Sequence, residues 1–254
     1  MTGVQYLGGS TALLELGGVR LLADPTFDPP GSYPIGERVL TKTLGPALHP
    51  DELGHVDAVL LSHDQHPDNL DRLGREYLRT VPAVFSTAAA AERLGEPVRA
   101  LPNWQQTELT RPGGGTLRLT GVPAQHGPEG SEPLVGEVSG FVVSGTGLPT
   151  VYVSGDNASL RVVRAIADRL GPVDVALLSA GGAQTALLGE AFLTLTSELA
   201  AEAVQILGAQ QTVPLHFEGW AHYTQGADSL RQAFEAAGRG DRLRLLAPGE
   251  RLDL

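Results

Sequence analysis

The chain has 254 residues, 42% of them hydrophobic, with a formal net charge of -11 and no cysteine. This length and apolar content can fill a sizeable core, and the lack of thiols excludes a disulfide framework and a cysteine-ligated zinc site, leaving histidine and carboxylate as metal donors. The acidic balance argues against a protein that grips a nucleic-acid backbone, and the apolar runs fall far short of the roughly 18 residues of a membrane span, so a cytoplasmic protein without export signal is expected.

Short apolar runs bounded by Gly, Pro, Asn and Asp dominate the first half: VQYLG, TALLELGG, VRLLADP and VDAVLLSH. Their length and borders predict strands, and Gly17 and Gly18 between two of them predict a hairpin turn. LLSHDQHPDNLD, residues 60–71, then crowds His63, Asp64, Gln65, His66, Asp68 and Asn69 directly behind an apolar run. From Asn69 the period changes, and Leu70, Leu73, Tyr77 and Leu78 share one helical face. The polar stretch is therefore a loop between a strand and a helix, with Asn69 as an alternative helix cap.

VPAVFST and AAAAERLG repeat the order of strand and helix, while TLRLTGVPAQHG and GFVVSGTGLPTVYVSGD are strand-rich. Gly113, Gly114 and Gly115 read as a hairpin turn, since a phosphate loop needs a following Lys and a helix start that are missing here. SLRVVRAIADRLG predicts a helix, VDVALLSAGG a strand, LTSELAAEAVQILGA a helix capped at Thr196 or Ser197, TVPLHF a strand and SLRQAFEAAG a last helix. There is no linker composition and no fixed-period repeat, so a single domain over 1–254 is expected.

Five segments end in potential ligands just beyond a predicted strand: Asp24 in LLADP, then His63, His66 and Asp68, then His126 in VPAQHG, Asp156 in VYVSGD and His216 in VPLHFEGW. A rigid strand fixes a ligand while the loop leaves room for substrate. Singly, each has a plainer role: a turn for Asp24, a helix cap for Asp156, a lone hydrogen-bonded ring for His126 or His216. Their recurrence in one chain is what points to a metal centre. His49 and His55 flank a short polar stretch and read as surface residues. Trp220, His222 and Tyr223 follow His216 and can either line a substrate pocket or pack their own loop.

The set ADP, SHDQHPDNLD, PAQH, SGD and PLHF, spread over nearly the whole chain, resembles the metallo-β-lactamase superfamily, and within it the lactonase-like and N-acylphosphatidylethanolamine phospholipase D-like subgroup. The resemblance implies an α/β (α+β) fold, a four-layer αβ/βα sandwich with a metal site at one edge of two sheets. It implies one or two divalent ions, zinc first and manganese as the alternative, with His63, His66 and His126 on the first, Asp68 and His216 on the second and Asp156 bridging. Asp68 and Asp156 would be the catalytic carboxylates and Asp24 would accept a hydrogen bond from a ligand imidazole. Asn69 stands where a second-metal histidine is expected, and the loop is one residue longer than the family pattern, so either His63 or Asp64 can take the first ligand place. The implied activity is hydrolysis of a small-molecule lactone, ester or phosphodiester by metal-bound hydroxide. A rival reading is a non-catalytic or ligand-sensing protein of the same fold with a degenerate second site.

Overall fold

The computed structural model describes residues 2–36 and 38–254. In chain order it opens with a meander of β1 (Gly3–Gly8), β2 (Thr11–Leu16) and β3 (Val19–Ala23) and a separate hairpin of β4 (Gly31–Ile35) and β5 (Arg38–Lys42). Then come β6 (Ala58–Leu60), α1 (Arg72–Tyr77), β7 (Val84–Ser86), α2 (Ala88–Leu94) and β8 (Val98–Ala100). The second half runs β9 (Gln106–Thr110), β10 (Thr116–Pro123), α3 (Glu132–Val135), β11 (Ser139–Ser144), β12 (Val151–Val153) and α4 (Leu160–Leu170). It ends with β13 (Val175–Ser179), α5 (Ser197–Leu207), β14 (Gln211–Leu215), α6 (Ala227–Ala236) and β15 (Arg251–Asp253).

Two mixed sheets result, ordered β15-β1-β2-β3-β6-β7-β8 and β14-β13-β12-β11-β10-β9. Tight turns join antiparallel neighbours such as β2 and β3, at Gly17–Gly18, and β9 and β10, at Gly113–Gly115, and helices connect parallel neighbours such as β7 and β8 or β13 and β14. Side-chain alternation sorts the first sheet into two faces. Ala12, Leu14, Leu16, Leu21, Ala23, Ala58 and Leu60 point into the large core shared with the second sheet. Leu13, Leu22, Val59 and Leu61 point the other way and pack with Leu70, ahead of α1, and with Tyr77 and Leu78 at the end of that helix. On the outer face of the second sheet Val163, Ile166, Ala200, Val204, Leu230 and Phe234 carry α4, α5 and α6 onto the same core. The fold is an αβ/βα sandwich of four layers. Among the described residues, no helix is long and apolar enough to cross a membrane.

The first helix departs from the sequence expectation. It begins at Arg72 rather than near Asn69, because Asp71 caps it by accepting a hydrogen bond from Gly74 N at 2.9 Å. Asn69 N and Leu70 N both donate to His66 O, closing a tight turn that frees the Asn69 side chain for other work. The β4–β5 hairpin carries no clear alternation or turn signature and has no counterpart among the predicted elements.

Candidate metal centre

The loops that follow β6, β10, β12 and β14 bring six predicted residues together in two adjacent groups, His63 with His66 and His126, and Asp68 with Asp156 and His216. In the first loop Asp64 turns away from them: its carboxylate pairs with Arg93, whose Nε lies 3.0 Å from Oδ2, and its carbonyl accepts from Arg75. Gln65 is exposed. His63, with no exposure, is the residue that faces inward.

His63 Nε2 lies 2.9 Å from His66 Nδ1, which lies 3.3 Å from His126 Nε2. Partners on the far sides of two rings set the tautomers. His63 Nδ1 is 2.9 Å from Ser62 Oγ, whose hydroxyl donates to Asp24 Oδ2 at 2.8 Å and so accepts from the ring. His126 Nδ1 donates to the Leu193 carbonyl at 2.9 Å. Both Nε2 atoms therefore present lone pairs inward. Burial, reinforced by the neighbouring imidazoles, holds His63 well below the usual histidine range and brings His66 down to about 4; burial also lowers His126. Three unprotonated nitrogens facing one another repel, and a cation between them removes that repulsion.

In the second group His216 Nε2 lies 3.0 Å from Asp68 Oδ2 and 3.3 Å from Asp156 Oδ2. These are ion-pair distances without hydrogen-bond geometry: Asp68 Oδ1, Asp156 Oδ2 and both His216 nitrogens are buried with no hydrogen-bond partner. Burial alone would raise Asp68, but His222 and His216 outweigh it and hold the carboxyl well below the usual range. Asp156 is depressed in the same way against its burial, by His216, His126 and His63, so it senses both groups. His216 rises to about 10, since Asp156 and Asp68 overcome the effect of burial. A proton on His216 balances the two carboxylates here, and a divalent ion, which imidazole and carboxylate both ligate, can take that proton's place.

The backbone is bent to deliver them. Asp24 and His216 adopt left-handed conformations, with φ of 38° and 59°. Strain of this kind concentrates at functional sites. Gly181 lets the turn after β13 pass beneath the His216 peptide, where a Cβ would sit 2.0 Å from the His216 carbonyl oxygen.

Three expected roles change in detail. Asp24 reaches His63 through Ser62 rather than directly, and it accepts from Ser62 N at 2.7 Å and Asn69 Nδ2 at 3.1 Å. Burial raises its carboxyl to about 7 despite these bonds. Asn69 neither caps a helix nor turns an amide oxygen to a partner: Nδ2 ties Asp24 to Asp156 Oδ1, 3.4 Å away, and Oδ1 is unpartnered. Trp220 is buried beside Tyr33 and Lys42 and does not line the cavity over the two groups. His222 does line it, with Nε2 3.1 Å from Asp68 Oδ2. His49 and His55 are exposed. The cavity, of about 30 Å³, is also walled by Ile35, Arg38 and Leu40 of the β4–β5 hairpin, which the sequence reading left out. Ser62 was within reach of that reading, as the polar residue immediately before His63.

The Beta-lactamase superfamily domain matches residues 19–217. A UPF0173 metal-dependent hydrolase of Pyrococcus furiosus is 26% identical, with 100% of each chain covered. Another from Methanosphaerula palustris is 31% identical over 70% of this chain and 76% of its own. Among solved structures, a possible metal-dependent hydrolase from Veillonella parvula superposes with a TM-score of 0.84 at 21% identity, covering 100% of both chains. With its fold, its paired donor groups and these matches, the chain belongs to the metallo-β-lactamase superfamily, in the UPF0173 family of metal-dependent hydrolases.

Proposed function

We propose that the chain hydrolyses an ester-type bond, in a lactone, a carboxylic ester or a phosphodiester, with one or two divalent ions, zinc or else manganese. His63, His66 and His126 would hold the first, Asp68 and His216 the second, with Asp156 between them. The observation that carries this reading is the pair of buried donor groups opening into one cavity. A divalent ion held there supplies Lewis acidity and a water whose pKa falls to about 7.

The remaining work falls to the chain itself. Asp156, close to both groups, offsets the repulsion between two cations. Asp68 stays ionised, and its unpartnered Oδ1 is available to orient a water and accept its proton. Ile35, Leu40 and Leu193 narrow the cavity to a small reacting group. Arg38, hydrogen-bonded to Thr185 Oγ1 at 2.5 Å, sets a positive charge on its wall, suited to an anionic edge of the substrate. The rival, a sensor with one metal position lost, rests on Asn69. Two buried carboxylates with one oxygen each left without a hydrogen bond weigh against it, because such atoms are costly to bury unless something binds them.

Protein loaded with zinc or manganese, assayed against a γ-lactone, a p-nitrophenyl ester and bis(p-nitrophenyl) phosphate, is expected to turn over at least one class. Chelation and Asp156→Ala should each abolish that turnover. No turnover on any of the three, or turnover indifferent to chelation, rejects the reading.

A further inference from the structure

Asn69 stands where the superfamily pattern has a second-metal histidine, and its amide nitrogen is committed to Asp24 at 3.1 Å and Asp156 at 3.4 Å. An imidazole is nevertheless present on the other side of Asp68. His222 Nε2 lies 3.1 Å from Asp68 Oδ2, the same oxygen that lies 3.0 Å from His216 Nε2. Nothing else claims this ring: its Nδ1 is buried without a partner, and Tyr223 and Trp220 pack against it with ring centres 4.6 and 6.2 Å away. Its backbone is held in place, with Gln184 N donating to His222 O and Ala183 bridged to Tyr223.

The distances define a geometry. Two donors at ~2.1 Å from one ion stand about 3.0 Å apart at a right angle and about 3.4 Å apart at a tetrahedral one, so the Asp68 contacts are right-angle edges. Two imidazoles on one ion have ring centres about 5 Å apart at a tetrahedral angle and about 6.4 Å apart when they face each other across it. The three rings of the first group, at 4.9, 5.1 and 5.4 Å, sit near the first of these, although His63 Nε2 and His66 Nδ1, 2.9 Å apart, meet at a right angle by their donor distance. His216 and His222 are more widely splayed, at 6.4 Å, and His222 stands outside the donor group of Asp68, Asp156 and His216. Asp156, 3.3 Å from His216, adds a further oxygen.

We infer that His222 is a ligand of the second metal position, filling the place that Asn69 leaves open beside Asp68, Asp156 and His216. Its carboxylates suit manganese and its imidazoles suit zinc, so either ion can probe the position. The inference rests on the metal-hydrolase reading above and deepens it at one position.

Metal-free protein given one equivalent of zinc and then titrated with Mn²⁺ tests it, by calorimetry and by pulsed EPR of ¹⁴N coupling to the manganese. Wild type is expected to bind one Mn²⁺ with two coupled imidazole nitrogens. His222→Gln keeps an amide to hydrogen-bond Asp68 but removes the ring nitrogen. It should bind the first zinc unchanged, which also certifies its fold, and either show a single coupled imidazole or lose Mn²⁺ affinity beyond the ~100-fold that an outer hydrogen-bond partner accounts for. Two coupled nitrogens in His222→Gln with a smaller loss, or no second ion in wild type, overturns the inference alone. Failure of wild type to bind even the first zinc removes the metal-hydrolase reading, and this inference with it.

Discussion

Ser62 sets which nitrogen of His63 faces the centre: squeezed between Asp24 and His63, its single hydroxyl hands the carboxylate's orientation on to the ring. Ser62→Ala should therefore cost about 10–100-fold in zinc affinity at the three-histidine position, the usual effect of losing an outer partner, with little change in fold. Isothermal titration that finds wild-type affinity would dismiss the relay. Asp156→Ala should remove turnover while circular dichroism stays native, since the carboxylate influences both donor groups. If Asp156 serves only to begin the following helix, the variant should instead lose about 1 kcal/mol of stability and keep its activity. The structure already gives that capping bond to Ser159, which accepts from Val162 N.

At the scale of elements, the β4–β5 hairpin is anchored over the centre by a buried ion pair. Lys42 Nζ lies 2.9 Å from Asp71 Oδ2, the same side chain that caps α1, with both side chains at 4% exposure or less. Lys42→Met leaves Asp71 buried with only backbone donors, and a loss of about 3 kcal/mol in chemical denaturation is expected. A change below ~1 kcal/mol would mean those donors suffice. Gly181→Ala pushes a methyl group into the His216 peptide and should destabilise by about 1–3 kcal/mol, with weakened metal binding because His216 itself must shift.

The same scale explains what the sequence could and could not reveal. Strands and their turns were legible because short apolar runs such as TALLEL and the glycine pairs at their ends are local signals. The ligand segments were legible because each follows such a strand. The β4–β5 hairpin was not: GSYPI and RVLTK owe their pairing to Lys42 meeting Asp71 and to Tyr33 meeting Trp220, contacts between residues far apart in the chain. The role of Asn69 was hidden for the same reason, since it depends on Asp24 and Asp156, 45 and 87 positions away. The start of α1 was misplaced by two strong capping types standing two residues apart, and only the Asp71 to Gly74 bond decides between them.

For the whole molecule, a metal that binds only the folded chain adds stability by mass action, about 2.7 kcal/mol at a free concentration 100 times Kd. Differential scanning calorimetry should show a melting temperature that climbs with added zinc or manganese and falls on chelation. A melting temperature blind to metal would contradict tight binding to the native state. His63, His66 and Asp68 leave the first sheet, whereas His126, Asp156 and His216 leave the second, so each donor group draws on both. An ion there acts as a rivet through the seam between the sheets. No nascent chain can own both donor sets until β14 has been made and seated, although the three histidines of the first are all present once residue 126 has been added. Capture of an ion at the second position thus comes last in assembly, and its affinity measures how firmly the two sheets are clasped at that edge.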